Sequence, residues 1–153
     1  MPLLDVAPIE ATIDIAAPPA TVWALVSDLR NMARWSPQVV KTFVRGPVEQ
    51  GTRAFNINRK GLLVWPTRSK VVVFEPHREF AFRIKDNAVI WAFVLEPTAT
   101  GTRLVHERRT PDGITPISQT LQKHVLGGVE SFTGELQTGM QQTLTRIKVE
   151  AEA

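Results

Sequence analysis

The stretch from Thr115 to Glu150 constrains the fold of this chain more than any other. Apolar side chains recur there at steps of three and four residues, which places them on one face of an α-helix. Thr115 and Pro116 form a start signal, because a threonine hydroxyl caps free N–H groups and proline has no N–H to leave unsatisfied. Such a helix is about 50 Å long at 1.5 Å per residue, so only a broad surface could cover it. Its apolar positions are Ile117, Leu121, Val125, Phe132, Leu136, Met140, Leu144 and Ile147.

The rest of the chain predicts that broad surface, an antiparallel sheet. Ile9 to Ile15 alternate strictly between apolar and polar side chains, as in a strand with one buried face. Ala20 to Leu29 has helical spacing after two prolines, and a second short helix is predicted from Arg30 to Trp35, where Ser36-Pro37 stops it. From Val39 onward the period is two, and turn residues separate the segments. Strands are predicted over residues 39–45, 52–59, 62–74 with a bulge or edge position at Pro66, 80–84, 89–95 and 102–110.

This order of elements predicts an α+β fold of about seven strands in which a curved antiparallel sheet wraps around the long C-terminal helix. A sheet with one wet face must cover the other, and only the terminal helix is large enough to do so. We expect a single domain over residues 9–150 after a tail of residues 1–8. The side chains predicted to share the concave face are Phe55, Ile57, Phe80, Phe82, Trp91 and Phe93.

Composition excludes several classes of function. The 153 residues include no cysteine, which rules out disulfides, thiolate nucleophiles and cysteine-based zinc sites. No signal peptide and no window of membrane-spanning length is visible, so a cytoplasmic protein is expected. The excess of 18 basic over 15 acidic residues is small, and the basic residues are spread along the sequence instead of forming a nucleic-acid motif. We therefore predict no nucleic-acid partner.

Three segments resemble a known family. They are PPATVWALVSDLRNMARWSP (18–37), FVLEPTATGTRLVHERR (93–109) and GGVESFTGELQTGMQQTLTRIK (127–148). With the order of elements, they are similar to the START/polyketide-cyclase superfamily, whose helix-grip fold is shared with the birch pollen allergen, and they are nearest to its polyketide cyclase/dehydrase branch. The resemblance covers about residues 8–150 and implies a cavity between sheet and long helix. Members include lipid and sterol carriers, hormone receptors and aromatase/cyclases, so it does not fix one activity.

The polar residues best placed for chemistry lie on the last predicted strand. If Leu104 points inward, alternation turns His106 and Arg108 inward beside it. An imidazole and a guanidinium in an apolar cavity could bind a carboxylate or enolate, or His106 could remove a proton from a carbon acid. The alternative is that both residues lie at the cavity mouth, solvated or paired with a carboxylate such as Glu135.

Other candidate sites are weaker. His77 and His124 have no metal-ligand spacing relative to His106, so neither a metal nor another cofactor is predicted. Asp28 is expected to serve a turn at the end of a helix. Trp35 could gate the cavity or be an ordinary core residue. There is no tyrosine to act as a phenolic acid, and no phosphate loop or nucleophile elbow is visible.

Two functions remain open from the sequence. In the first, the chain binds an apolar or amphipathic small molecule, lipid-like or polyketide-like. In the second, it is a cofactor-free polyketide cyclase, aromatase or dehydratase in which His106 is the general base and Arg108 stabilises an enolate. Binding is favoured because one histidine and one arginine make an incomplete catalytic set. The chain is expected to be a monomer or a homodimer, and the predicted ligand-contacting residues are Trp35, Phe55, Ile57, Phe82, Trp91, Phe93, His106, Arg108, Phe132, Leu136 and Met140.

Overall fold

One seven-stranded antiparallel sheet and a long C-terminal helix form the fold. The computed structural model describes residues 9–110 and 129–153, without the side chains of 129–133. The elements are β1 (Ile9–Ile15), α1 (Pro19–Val26), a 3-10 turn (Leu29–Asn31), α2 (Met32–Trp35), β2 (Val39–Val44), β3 (Arg53–Lys60), β4 (Leu63–Glu75), β5 (Glu79–Ile84), β6 (Ile90–Thr98), β7 (Gly101–Arg109) and α3 (Val129–Ala151). The predicted α+β helix-grip architecture is confirmed.

The sheet has the order β1-β7-β6-β5-β4-β3-β2. Strands β2 to β7 follow one another as a meander, and β1 closes the sheet by pairing with β7. The two short helices therefore carry the chain from one edge of the sheet to the other. Helix α1 starts with proline in its first turn, where the missing N–H costs nothing. It ends at Val26 rather than at the predicted Leu29, and the Asp28 side chain accepts a hydrogen bond from the N–H of Arg30 at 3.0 Å, which caps the 3-10 turn.

Helix α3 packs mainly on β1, with further contacts to α1 and α2. Its predicted apolar face is confirmed where it is described, because Met140, Leu144 and Ile147 are all buried. Arg146 Nη1 donates to the carbonyl of Trp35 at 3.1 Å and Lys148 Nζ to that of Asp14 at 2.8 Å, so polar contacts also hold the helix in place. The predicted helix start at Thr115 lies outside the described residues, as do its first apolar positions Ile117, Leu121 and Val125.

The register of β3 corrects the predicted concave face. Phe55 is 42% exposed and stands on the opposite face of the sheet, together with the partly exposed Ile57. Asn56 and Asn58 are buried instead. Alternation along a strand does not decide which of its two sets of side chains faces inward. The inward position of the Asn56 and Asn58 amides is stabilised by hydrogen bonds with neighbouring polar groups. The prediction that Phe55 and Ile57 line the interior is therefore wrong.

Of the two alternatives predicted for Pro66, a bulge or an edge position, the structure has the edge position. Pro66 pairs in register with Ile57, and the shift in β4 occurs between Val71 and Val73. The neighbouring strand β5 begins its pairing with β4 only at Ser69. At Pro66 the strand therefore has a partner on one side only, and a residue without an N–H is tolerated at such an edge position without a bulge.

Candidate functional site

The strongest candidate site is an interior space of about 150 Å³ between the sheet, the short helices and α3. The sheet contributes residues from β2 to β7, and α3 contributes residues from its described part. Apolar groups form most of the wall, and a few amide, hydroxyl and imidazole groups interrupt it. The residues that line it are Leu29, Met32, Ser36, Pro37, Gln38, Val39, Asn56, Asn58, Thr67, Phe82, Ile84, Trp91, His106, Glu135, Leu136, Gly139, Met140 and Thr143.

His106 is the most strongly constrained polar group of this site. It lies on β7 opposite Phe93 of β6, and the two rings stack with centroids 4.2 Å apart and planes at 6°. Trp91 stacks on the imidazole as well, at 5.5 Å and 28°. The imidazole Nδ1 lies 3.0 Å from the carbonyl oxygen of Ala92. These contacts hold the ring in one orientation.

Burial determines the protonation of His106. Desolvation lowers the pKa of His106 from 6.5 to about 4, although the hydrogen bond to Ala92 and the charge of Glu107 act in the opposite direction. The ring is therefore neutral at pH 7. Because a carbonyl oxygen can only accept, Nδ1 must carry the proton that it donates to Ala92. The other ring nitrogen, Nε2, is then an unprotonated hydrogen-bond acceptor.

A buried amide cluster supplies the second polar part of the site. Asn56 accepts a hydrogen bond from Thr42 Oγ1 at 2.9 Å, and its own amide nitrogen reaches Ser69 Oγ at 3.3 Å. Asn58 Nδ2 donates to the carbonyl of Trp65 at 3.2 Å and to Thr67 Oγ1 at 2.9 Å. The carbonyl of Trp65 can only accept, so the orientation of the Asn58 amide is fixed. Its Oδ1 is an acceptor with no donor among the described residues.

Charged groups lie around the site rather than within it. Arg108 is buried on β7 with its guanidinium 5.9 Å from the Trp91 ring centroid, and burial lowers the pKa of Arg108 to about 10, so it remains charged at pH 7. It does not line the space. Glu135 does, and it forms an ion pair with Lys60 at the end of the β3 strand. The Glu135 side chain is about half exposed (52%), so this pair marks the end of the space nearest to solvent.

The structure brings five of the predicted ligand-contacting residues around this space, namely Phe82, Trp91, His106, Leu136 and Met140. Phe93 stacks on the imidazole of His106 and does not line the space. Trp35 is buried and does not line the space either. Phe55 and Ile57 face the other side of the sheet, as described above. The side chain of Phe132 is outside the described residues.

Sequence reasoning missed the asparagines and threonines of this site. The available signal was positional: small polar residues recur at every second position of β3 and β4, and the register places Asn56 opposite Thr67 and Asn58 opposite Trp65. When only hydrophobic alternation is considered, polar residues at every second position predict a strand face exposed to solvent. Only the pairing of the strands reveals that these groups satisfy one another inside the fold.

The arrangement is suited to holding an uncharged molecule. Within residues 9–110 and 129–153, no group of three or more histidine or acidic side chains is placed to hold a metal ion. Among the described helices, none is long and apolar enough to cross a membrane. His106 and Asn58 line the space together with other polar residues. Each has an acceptor atom, Nε2 and Oδ1, with no partner among the described residues, so the site complements a ligand that donates hydrogen bonds from a mostly apolar body.

Comparisons with known proteins agree with this architecture. A family model for polyketide cyclase / dehydrase and lipid transport proteins matches residues 7–152. The solution NMR structure of the polyketide cyclase-like protein Cgl2372 from Corynebacterium glutamicum is 32% identical over 92% of this chain and 88% of that chain, with a TM-score of 0.63. None of the curated proteins compared matches the sequence.

Two di-domain ARO/CYC proteins from biosynthetic pathways share the fold at lower identity. The di-domain ARO/CYC StfQ from the steffimycin pathway is 15% identical, with a TM-score of 0.75 over 95% of this chain and 50% of that chain. The di-domain ARO/CYC BexL from the BE-7585A pathway is 22% identical, with a TM-score of 0.74 over 96% of this chain and 50% of that chain. Likeness at this level extends to the fold alone.

Proposed function

Since the chain belongs to the polyketide cyclase / dehydrase and lipid transport family, we propose that it binds a small, uncharged, hydroxyl- or N–H-bearing apolar molecule between sheet and α3. The observation that carries this proposal is the pair of fixed acceptors, His106 Nε2 and Asn58 Oδ1, in an otherwise largely apolar wall. A donor on the ligand would supply hydrogen bonds to these two atoms, which have no protein donor among the described residues. A ligand with no donor would leave both unsatisfied.

The size of the space narrows the class of ligand. Pockets for drug-sized ligands usually measure about 300–1,000 Å³, whereas this space measures about 150 Å³. One aromatic ring or a similarly compact group matches that volume. The flat walls formed by Phe82, Trp91 and the stacked imidazole favour a ring over a flexible chain. A phenol is the simplest molecule that combines a ring with a donor.

The charge of the ligand follows from the same groups. Both free acceptors carry partial negative charge, and Glu135 adds a carboxylate at the rim. Arg108 is cationic but lies outside the lining. A ligand carboxylate would lie beside these acceptors and Glu135, and it would lose its hydration with no arginine or lysine in the lining to offset the cost. We therefore favour a neutral phenol over the carboxylate or enolate considered from the sequence.

The cyclase or dehydratase alternative depends on His106 as a general base. The most effective base has a pKa near the working pH, and burial holds the pKa of His106 at about 4. The charge of Glu107 favours a proton on this imidazole, but desolvation by burial outweighs it. These features favour a role for His106 in orienting a ligand over a role in transferring a proton. We therefore propose binding as the function.

Binding of phenol, anisole and benzoate to the purified protein tests this proposal. Anisole keeps the ring and the oxygen but has no donor, and benzoate adds a negative charge. We expect phenol to bind at least about tenfold more tightly than either, which corresponds to about 1.4 kcal/mol, the scale of one or two satisfied hydrogen bonds. Chemical-shift perturbation titrations followed by NMR measure all three affinities.

Matched variants then locate the site. His106→Phe keeps the stacked ring and removes the Nε2 acceptor, so the preference for phenol over anisole should shrink to within about threefold. His77→Asn changes a histidine in an exposed turn and should leave the preference intact. Equal affinity for phenol and anisole in the unaltered protein would contradict the proposed ligand class, and perturbations remote from Trp91 would contradict the site.

A further inference from the structure

The outer face of strands β2 to β4 combines cationic and exposed apolar side chains. We call it the basic outer face, and it consists of Lys41, Phe43, Arg53, Phe55, Arg68 and Lys70. Phe43 and Phe55 are 50% and 42% exposed, and their ring centroids are 6.3 Å apart. Lys41 Nζ lies 5.1 Å from the Phe43 ring centroid. Of its four cations, only Arg68 pairs with a described carboxylate, that of Asp86 at 3.4 Å. An apolar centre surrounded mainly by unpaired cations differs from an ordinary solvated face, where both signs of charge are interspersed.

Strand pairing concentrates the positive charge. Arg53 stands directly opposite Lys70, and Phe55 opposite Arg68. Like charges in directly opposed positions are unfavourable, and neither Arg53 nor Lys70 forms an ion pair with another described residue. The open depression on this side of the sheet is lined by seven of the chain's 18 basic residues and one of its 15 acidic residues, Glu49. Residues that are dispersed in sequence thus form one cationic surface.

The tip of the β3–β4 hairpin extends this surface with aliphatic side chains. Leu62 is 99% exposed, and Leu63 and Val64 are more than half exposed. Burying such side chains stabilises a protein by about 1.5–3 kcal/mol each in general, so their exposure in one place marks a contact surface. Arg59 and Lys60 precede the tip directly in sequence. The hairpin therefore presents an apolar end that is flanked by cations.

We propose that the basic outer face and the Leu62–Val64 tip dock the protein on the surface of an anionic lipid bilayer. The aliphatic tip would enter the acyl boundary, while long arginine and lysine side chains would reach the anionic headgroups. Phenylalanine rings at the level of the headgroups fit the same geometry. A single-stranded nucleic acid could use the cations and the two rings, but it has no use for an exposed aliphatic tip. The bilayer is the partner that accounts for both components.

The position of this surface adds a consequence for access to the interior. Lys60, which ends β3 beside the hairpin tip, pairs with Glu135 of α3, which lines the interior space. An anionic surface would compete for Lys60 and weaken the contact between hairpin and helix. The docking proposal does not rest on the proposed ligand, because it concerns the opposite face of the sheet.

Vesicle flotation tests the proposal with the full chain. Vesicles of phosphatidylcholine alone should leave the protein in solution, and vesicles that also contain phosphatidylserine should carry it to the top of the gradient. Binding should be lost in 1 M salt, where the screening length is only about 3 Å. Equal recovery with both vesicle types, or with neither, would overturn the proposal.

Three variants separate the two components of the surface. Arg53→Glu with Lys70→Glu should weaken partitioning at least about a hundredfold, because each basic residue near an anionic surface contributes about 1 kcal/mol. Leu62→Asp should weaken it at least about tenfold through loss of insertion. Arg103→Glu, a single charge reversal at an exposed position of β7, should alter it less than about threefold. All four substituted positions are exposed, and circular dichroism verifies folding.

Two further readouts keep the outcome unambiguous. Fluorescence anisotropy with a single-stranded oligonucleotide should show only weak, salt-sensitive binding, and tight oligonucleotide binding without vesicle binding would overturn the proposal. The phenol titration described above should be unchanged in Leu62→Asp. Failure of vesicle binding with intact phenol binding would reject the docking surface alone, and the reverse result would reject the proposed ligand alone.

Discussion

Lowering the pH from 7 to 4 is expected to remove about 3 kcal/mol of folding free energy through His106 alone. The imidazole has a pKa of about 4 in the folded protein and 6.5 as the reference value, and each unit of difference is worth about 1.36 kcal/mol. Below pH 6.5 the unfolded chain takes up a proton that the folded chain cannot accept. Stability is therefore fully present above about pH 7 and is lost as the pH falls toward 4.

Urea denaturation of the protein and its His106→Phe variant at several pH values measures this effect. Paired carboxylates also titrate in acid, but they do so equally in both proteins, so the difference in slope isolates His106. The variant is expected to lose about 3 kcal/mol less than the parent between pH 7 and pH 4. His77→Asn changes an exposed histidine at a positive φ of 68°, which asparagine tolerates, and provides a matched histidine substitution. Parallel curves for parent and His106→Phe would mean that the imidazole is not buried.

Gly101→Ala is expected to destabilise the fold by about 3 kcal/mol, the upper part of the usual range for overpacking. Gly101 begins β7, where the backbone passes close to the chain leaving β1. An added Cβ would lie 2.1 Å from the carbonyl oxygen of Ile15 and 2.8 Å from the backbone nitrogen of Ala17. Both atoms belong to the backbone, so no side-chain rotation can relieve the overlap. The next residue reinforces the contact, because Thr102 Oγ1 donates to the carbonyl of Ala17 at 2.8 Å.

Gly134→Ala is the matched control for that substitution. Gly134 lies in α3, and a Cβ added there meets nothing within 4 Å. Alanine is favoured over glycine in a helix interior by up to about 1 kcal/mol, so this variant should be more stable than the parent. Guanidinium denaturation curves give both changes. A cost below about 1 kcal/mol at Gly101 would show that β7 and the end of β1 do not approach as closely as described.

The acid sensitivity and the proposed function have one origin. A buried neutral imidazole costs stability in acid, and buried asparagines cost stability wherever one of their polar atoms is unpaired. An apolar core at the positions of Asn58 and His106 would avoid both costs. Local departures from the favourable pattern are expected at functional sites, where recognition compensates for them. This is a physical reason to locate ligand binding on the concave side of the sheet.

Much of the fold follows from local chemistry that the sequence displays directly. The apolar period of α3, the prolines before α1 and the period of two from Val39 each depend only on neighbouring residues. The inward direction of Leu104, His106 and Arg108 likewise follows from alternation along one strand. These inferences hold because helix and strand periods fix which side chains share a face.

Tertiary structure decided what alternation leaves open. A strand has two faces, and only pairing with β2 and β4 turned Asn56 inward and Phe55 outward, because the amide then found partners across the sheet. Pairing likewise brought Arg53 of β3 beside Lys70 of β4, and with Arg68 they form one cationic surface. The pKa of His106 depends on desolvation by residues from other strands. Distances between strands determine these properties, and no local pattern encodes them.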